Sequence, residues 1–133
     1  MRVHFKSRAG FTLLEVVAAL AIMALVAVSA LGAVGQQLNV AAHARDVARA
    51  EGLAEQRLAL LRILTSADVQ SLPDTIVAGR FAYPNNDFSW RVSSTPVLGE
   101  TYLNDVRIDV NWASGSYTLN TRLYAPPSAD PTT

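Results

Sequence analysis

Few residues of this chain have the types and spacing that catalysis or metal binding requires. Its 133 residues include no cysteine, which excludes a thiol nucleophile, a thiolate metal site and a disulfide framework. His43 lacks the partners that a metal site or a catalytic triad needs. Asp105 and Asp109 share a strand face with Arg107, which is typical of an exposed charged surface. With no Gly-rich phosphate loop either, we expect no enzyme activity, metal or cofactor.

Glu15 is the residue whose chemistry needs an explanation. It lies at the start of an apolar run, and residues 16–42 contain no Asp, Glu, Lys or Arg. A carboxylate inside a bilayer costs about 3 kcal/mol on insertion scales, so such a residue is expected to have a function and a partner of opposite charge.

The apolar run is long enough to cross a membrane. Residues 11–42 include 24 hydrophobic residues in 32, and the 19 residues of 16–34 span about 30 Å at about 1.5 Å per residue. Arg2, Lys6 and Arg8 precede the run, and the next basic residue is Arg45. The positive-inside rule therefore predicts a single-pass protein, with residues 1–10 in the cytoplasm and the body of the chain on the other side of the membrane.

Charge excludes a further class of function. The whole chain has 11 basic and 11 acidic residues, and without Arg2, Lys6 and Arg8 it has 11 − 3 = 8 basic residues against 11 acidic ones. A mildly acidic head with scattered arginines does not predict a nucleic-acid-binding face.

Three interpretations of the run compete: a simple anchor, a cleaved secretory signal peptide and a retained assembly helix. Val28-Ser29-Ala30 has the small residues that signal peptidase accepts, but the apolar stretch before it exceeds the usual 7–15 residues. Neither an anchor nor a signal peptide has a reason to contain Glu15.

The segment Gly10-Phe11-Thr12-Leu13-Leu14-Glu15 resembles the processing motif of type IV pilins and type II secretion pseudopilins. In that family a basic leader ends in Gly, the next residue is usually Phe, and an acid occupies the fifth position after the cut. The resemblance implies that prepilin peptidase cleaves between Gly10 and Phe11 and methylates the amine of Phe11. It also implies that Glu15 is an assembly carboxylate, which neutralises the new amine of a neighbouring subunit.

The remaining sequence predicts an α+β, pilin-like fold, a long N-terminal transmembrane helix packed on a small antiparallel β-sheet. No proline occurs from residue 11 to residue 72, and Gly32 and Gly35 are the points where a bend or local melting is expected. The apolar stripe that faces the sheet comprises Val47, Ala50 or Glu51, Ala54, Leu58 and Leu61. Arg45, Arg49, Glu55 and Arg62 are expected largely off this stripe. Glu51 and Glu55 are expected to form a mixed-charge exposed surface with Arg45, Arg49, Arg57 and Arg62.

Alternating apolar residues predict the strands. They are Phe88, Trp90 and Val92, then Val106, Ile108, Val110 and Trp112, then Tyr117, Leu119 and Leu123. Residues 113–116 are expected to form a hairpin loop that sets Trp112 against Tyr117. Residues 84–87 are expected to form a turn, 95–100 a loop and 125–133 a fraying tail.

These patterns divide the chain into a leader (1–10), a long helix (11–65), a β-sheet head (66–125) and a flexible tail (126–133). The resemblance implies that 1–10 is a prepilin leader and that the protein lies in the bacterial inner membrane, with its N-terminus in the cytoplasm and its head in the periplasm. The helix is expected to have a transmembrane half (11–34) and a half packed on the head (35–65). Membrane packing is expected through small and apolar side chains, which let helices approach closely: Leu14, Val17, Ala18, Ala19 and Ala21.

Within the family, the chain most resembles the I-type minor pseudopilin of type II secretion systems. The similarity rests on residues 10–20, on 50–55 and on the strand sequences around Trp90 and Trp112, with no cysteine-closed loop and no calcium loop. It implies a subunit of the pseudopilus tip that helps to start the fibre for export of folded proteins across the outer membrane. The implied partners are the J-type and K-type minor pseudopilins and the major pseudopilin.

Two other functions remain open at this point. A minor pilin of a type IV pilus or competence system shares the same N-terminal motif. A periplasmic sensor or enzyme with a single-pass anchor is the third possibility, and it predicts activity in the head alone and indifference to Glu15.

Overall fold

The computed structural model of this protein describes residues 12–127. The chain divides into two units, Met1–Ala42 and His43–Thr133. Helix α1 (Leu13–Leu61) begins in the first unit and ends in the second. The second unit also contains helices α2 (Ser66–Gln70) and α3 (Asp74–Val77) and strands β1 (Ala78–Arg80), β2 (Ser89–Pro96), β3 (Leu103–Trp112) and β4 (Gly115–Tyr124).

In the first unit, α1 is rich in Ala and Leu, both strong helix formers. Gly32 and Gly35 have helical backbone conformation, so the local melting considered at these glycines is not seen. Every described side chain from Thr12 to Ala42 is exposed, and this part of the helix therefore contributes nothing to a core within its own unit.

In the second unit, α1 packs on the sheet through an apolar stripe. The buried helix residues are Ala50, Leu53, Ala54, Leu58 and Leu61, whose spacing of three and four residues places them on one face. Ala50 rather than Glu51 occupies the stripe, and Leu53 is an addition to the predicted set. The small side chains of Ala50 and Ala54, both 0% exposed, allow the helix to lie close to the strands.

The four strands form an antiparallel meander in the order β1-β2-β3-β4. Alternation of side chains gives the sheet an apolar inner face, which buries Trp90, Val92, Val106, Ile108, Val110 and Leu123. Burying a side chain of this size stabilises a fold by about 1.5–3 kcal/mol. The predicted α+β architecture, a long N-terminal helix on a small antiparallel sheet, is confirmed.

The β3–β4 hairpin differs from its predicted register by two residues. The structure pairs Trp112 with Gly115 and Val110 with Tyr117, so only Ala113 and Ser114 remain in the turn. A shift of two residues leaves each side chain on its predicted face. Gly115 favours this register because a Cβ there would lie 2.8 Å from Cζ2 of Trp112.

The β2–β3 connection is shorter than predicted. Thr95 and Pro96 continue β2 and pair with Asp105 and Asn104, whereas the sequence predicts a loop from residue 95. Gly99 has a φ of 86°, a conformation that residues with a Cβ rarely adopt, and it lets the chain reverse within the shorter connection.

The segment between α1 and β2 contains structure that the sequence patterns did not predict. Thr65 caps α2: its Oγ1 accepts a hydrogen bond from the backbone N of Asp68 at 3.4 Å and donates to Oδ2 of Asp68 at 2.8 Å. α2, α3 and β1 have only five, four and three residues, too few for a periodic pattern. The predicted turn over 84–87 is present, with the N of Phe88 donating to the O of Asn85 at 3.0 Å.

The beginning of the predicted tail is ordered. Ala125 is buried, and its backbone N donates to the O of Tyr102 at 2.9 Å. The O of Pro126 accepts a hydrogen bond from the N of Ser66 at 3.0 Å. The prediction that the chain frays from residue 125 is therefore wrong at these two positions, because backbone hydrogen bonds hold both. Residues 128–133 of the predicted tail lie outside the described residues.

Candidate assembly and processing site

The first turn of α1 places Glu15 beside a helix cap. The backbone N of Glu15 donates to Oγ1 of Thr12 at 3.3 Å and to its O at 3.0 Å, and the N of Val16 donates to the same O at 3.2 Å. Thr12 is thus the N-cap, and Thr12-x-x-Glu15 has the spacing of a capping box. A carboxylate three residues into a helix also interacts favourably with the positive end of the helix dipole. Sequence reasoning missed this local function of Thr12, although the spacing signals it.

The predicted cleavage site lies outside the described residues. Gly10 and Phe11, the residues on either side of the predicted cut, precede Thr12, where the description of the chain begins. The structure therefore describes the helix from its N-cap, Thr12, onward, which is one residue after the predicted new N-terminus.

Small residues flank Glu15 on the helix surface. Ala18 and Ala19 follow it by three and four residues, the spacings at which helix side chains are neighbours. All three side chains are exposed, so a second helix has room to approach the carboxylate. Leu14 and Val17 are 79% and 56% exposed, and together with Ala18 and Ala21 they repeat at three and four residues along one face. Each predicted packing residue is therefore available for contact.

The apolar part of α1 has the length and composition of a membrane span. It is the one helix among residues 12–127 with these properties, and none of its most apolar stretch is buried in the protein. A soluble protein's core helix would be buried, so its exposure favours lipid or other helices as its surroundings. Ser29, the central residue of the alternative signal-peptidase site, is helical, and its hydroxyl donates to the O of Leu25 at 2.8 Å. This bond satisfies the hydroxyl within the helix.

The acidic residues of β3 form ion pairs on the outer face of the sheet, as their strand positions predict. Nε of Arg107 donates to both carboxylate oxygens of Asp109 at 3.0 and 3.1 Å, and the hydroxyl of Thr118 donates to Oδ1 at 2.6 Å. Nε of Arg122 donates to Asp105 at 2.9 Å. The hydrogen bond from Arg107 is the main cause that lowers the pKa of Asp109, and that from Thr118 acts in the same direction. The same pairing raises the pKa of Arg107.

Two residues of α1 have aromatic neighbours in the head. The ring of His43 lies 6.4 Å from that of Trp112, centroid to centroid. Arg57 was predicted on the exposed charged surface, and this is wrong: its guanidinium stacks over the ring of Trp90. Arg57 follows Ala54 by three residues and precedes Leu61 by four, so helical spacing already places it on the buried stripe.

Comparison with known proteins gives a match to the segment that contains the first turn of α1 and most of its apolar part. The family model of the prokaryotic N-terminal methylation motif matches residues 5–31. No curated protein and no solved structure gives a significant match. The matched segment contains Gly10, Phe11 and Glu15 and includes most of the apolar run, which indicates single-pass membrane anchoring. A prepilin-type methylation motif followed by a long apolar helix packed on a four-stranded antiparallel sheet fits the pilin-like superfamily.

Proposed function

We propose that this protein is a minor pseudopilin, a structural subunit of the tip of a type II secretion pseudopilus. The observation that carries the proposal is the methylation motif over residues 5–31, joined to an apolar helix with no buried side chain in its first unit. If the helix is retained after processing, its exposed apolar side chains must be covered by lipid in the membrane and then by the helices of other subunits in a fibre. The small polar head, with its charged outer sheet face, suits a subunit that remains on the periplasmic side.

Processing prepares the helix for assembly. Removal of residues 1–10 leaves the amine of Phe11 directly before the N-cap Thr12. A positive charge at the start of a helix opposes the helix dipole, and the carboxylate of Glu15, one turn further on, offsets both charges. In a fibre with axially offset subunits, the same carboxylate meets the amine of the next subunit, which removes two unpaired charges from lipid at once.

The first experiment tests cleavage. Mass analysis of the N-terminus of the protein from membranes should find methylated Phe11. Gly10→Val should leave the leader in place, because the peptidase needs the residue without a side chain, while the matched Ala9→Val variant should still be cut. A mature chain that begins at Leu31, or an uncut Met1 in the native protein, would exclude prepilin-type processing.

The second experiment separates the charge of Glu15 from its position in the helix cap. Glu15→Gln removes the charge but keeps a side chain that suits a capping box, and Thr12→Ala removes the cap hydroxyl but keeps the charge. We expect Glu15→Gln to reduce incorporation into fibres and Thr12→Ala to have a smaller effect. The reverse order would assign Glu15 to helix capping alone, and full assembly by both variants would contradict an assembly carboxylate.

A minor pilin of a type IV pilus or competence system is the second candidate, because the methylation motif and apolar helix serve both kinds of fibre. Crosslinking in membranes followed by purification distinguishes them. Recovery of two other minor pseudopilins, of the J and K types, supports the secretion assignment, and recovery of pilus subunits assigns the protein to a pilus. An activity of the head that is indifferent to Glu15→Gln would instead favour an anchored sensor or enzyme.

A further inference from the structure

The outer edge of β4 is a row of backbone groups without a partner strand in the described part of the chain. β4 is ten residues long and is the last strand in the sheet order. The pairs of β3 and β4 follow one continuous register, which the bond from the N of Ala125 to the O of Tyr102 extends at 2.9 Å. Because antiparallel pairs alternate between bonded and non-bonded, odd-numbered β4 residues bond to β3. The even-numbered residues direct their N–H and C=O groups outward, and they are Ser116, Thr118, Asn120, Arg122 and Tyr124.

Apart from the charge of Arg122, which is paired with Asp105, this edge lacks the features that usually prevent pairing with another chain. β4 contains no Pro and no Lys, and its pairing register with β3 has no bulge. On the inner face, Tyr117 and Leu119 are only half-buried, although Val110 and Ile108, which they face across the ladder, are both 0% exposed. An added strand would cover the open sides of these two residues.

A pocket lies at the C-terminal end of the edge. Its volume is about 250 Å³, and Tyr102 and Tyr124 form an aromatic pair in its lining, with centroids 6.2 Å apart and ring planes at 74°. Tyr124, the last residue of β4, is 62% exposed. The remaining lining comes from residues 99–101 and Leu103. Strand addition in proteins combines main-chain hydrogen bonds, which supply affinity, with pockets for single side chains, which supply specificity.

The charge of the pocket lining indicates which kind of side chain the pocket would bind. Glu100 is the one charged residue of its lining, and it has no ion pair among residues 12–127. A carboxylate beside two tyrosine rings favours a cationic side chain, which forms an ion pair with the acid and a cation–π contact with a ring.

We propose that β4 binds an extended segment of another protein as a fifth strand, and that an Arg or Lys side chain of this segment enters the pocket of Glu100, Tyr102 and Tyr124. A second copy of this chain fits the site less well. In the two antiparallel registers of β4 on β4 that join outward-facing residues with nearly full overlap, Arg122 of one strand lies opposite Ser116 or Thr118 of the other and far from the pocket. The surface belongs to the head, and the inference does not depend on how the apolar helix is used.

The test measures peptide binding to the full chain in micelles of an uncharged detergent. The probe is a synthetic peptide of about nine residues, the length of a β4 partner, in which Ser and Thr alternate with Val and one position carries Arg. Two matched peptides carry Glu instead of Arg, or N-methyl groups on the amides that would bond to β4. We expect the Arg peptide to slow amide hydrogen exchange at the five outward-facing residues of β4. The Glu peptide should bind at least about fivefold more weakly, and the N-methylated peptide should not bind.

Two pairs of variants locate the binding site. Asn120→Pro removes an outward N–H and spares the bonds to β3, whereas Asn120→Ala keeps that N–H, so only the proline variant should lose binding, by about tenfold. Glu100→Gln should weaken binding of the Arg peptide about two- to fivefold, and Glu55→Gln, an exposed acid on α1, should not. The Glu100 pair keeps the test valid if Asn120→Pro does not fold.

Four outcomes would overturn the proposal. They are no binding of the Arg peptide, equal binding of the Arg and Glu peptides, equal binding by Asn120→Pro and Asn120→Ala, and protection confined to residues outside β4. Self-association of the full chain that Asn120→Pro abolishes would identify a second copy as the occupant and would also overturn it. None of these results bears on leader cleavage or on the assembly role of Glu15.

Discussion

The guanidinium carbon of Arg57 lies 3.5 Å from the centroid of the Trp90 ring, and this contact joins α1 to the sheet at the centre of the head. Phe81 extends the cluster, with its ring 4.7 Å from that of Trp90 in an edge-to-face arrangement. Nε1 of Trp90 donates to the O of Ile76 at 3.2 Å, which fixes the indole against the segment before β1. Burial lowers the pKa of Arg57, because desolvation disfavours its charged form.

Truncation of Arg57 should destabilise the head through lost stacking. We expect Arg57→Ala to lower the free energy of unfolding by about 1–2 kcal/mol, because a desolvated cation–π contact and the packing of the aliphatic stem are both lost. Arg57→Met should cost less, because the Met side chain still covers the ring. It also removes the buried Nε, which has no hydrogen-bond partner in the part of the chain that the structure describes. Urea unfolding followed by tryptophan fluorescence of the full chain in micelles measures both. Arg62→Ala, an exposed position, is the control, and equal effects at positions 57 and 62 would contradict the stacking role.

Gly79 should tolerate no side chain. A Cβ there would lie 2.5 Å from Cζ2 of Trp90, so Gly79→Ala must displace the indole or β1. We expect a loss of about 1–3 kcal/mol, the usual cost of overpacking. Gly52→Ala is the matched control: apart from its chain neighbours and the backbone of its own helix, no atom of the described residues lies within 4 Å of the added Cβ. In a helix interior the change should stabilise by about 1 kcal/mol. Thermal unfolding measures the pair, and the same sign for both substitutions would contradict the close approach of Gly79 and Trp90.

Replacement of Asn104 by an apolar residue should stabilise the head. Asn104 is 0% exposed, and neither its Nδ2 nor its Oδ1 has a hydrogen-bond partner among residues 12–127. Unpaired buried polar groups cost about 1–3 kcal/mol, which Asn104→Leu removes. We expect a higher urea midpoint for Asn104→Leu and no increase for Asn120→Leu on the exposed face. A large loss of stability in Asn104→Leu would mean that the amide has a bonding partner, such as an ordered water.

Acid should weaken the contribution of Asp109 to stability. The ion pair with Arg107 holds the pKa of Asp109 in the folded protein below its ordinary value of 3.8. The pair therefore stabilises the fold above that pH, and its contribution is lost as the pH falls through the folded-state pKa. The difference in unfolding free energy between the native protein and Asp109→Asn should therefore be constant from about pH 7 to pH 5 and shrink below about pH 4. Urea unfolding at each pH gives this difference, with Asp87→Asn as an exposed control. A difference that grows on acidification would contradict the direction of the shift.

Local patterns were sufficient to predict several parts of the fold. Alternation in β3 and β4 gave the correct faces, because strand side chains point alternately to opposite sides whatever the partner strand. Spacing gave the buried stripe of α1 for the same local reason. The strand registers and the short elements could not be predicted from local patterns. Trp112, for example, pairs with Gly115 through contacts across the hairpin. The three-residue strand β1 is held by its pairing with β2 rather than by its own sequence.

The sequence by itself determined the residue pattern from which the chemistry of the N-terminal segment is predicted. Gly10, Phe11 and Glu15 are read by residue type and spacing along one stretch of chain, and an apolar run of this length has few other uses. Only the tertiary structure decided the surroundings of Arg57, Asn104 and the edge of β4, from which their roles are inferred. Their properties depend on which residues the fold brings together from distant parts of the chain, such as Arg57 and Trp90 or Glu100 and Tyr124. Such contacts leave no periodic trace in the sequence, because their free energy arises from burial and geometry that exist only once the helix and the sheet have packed.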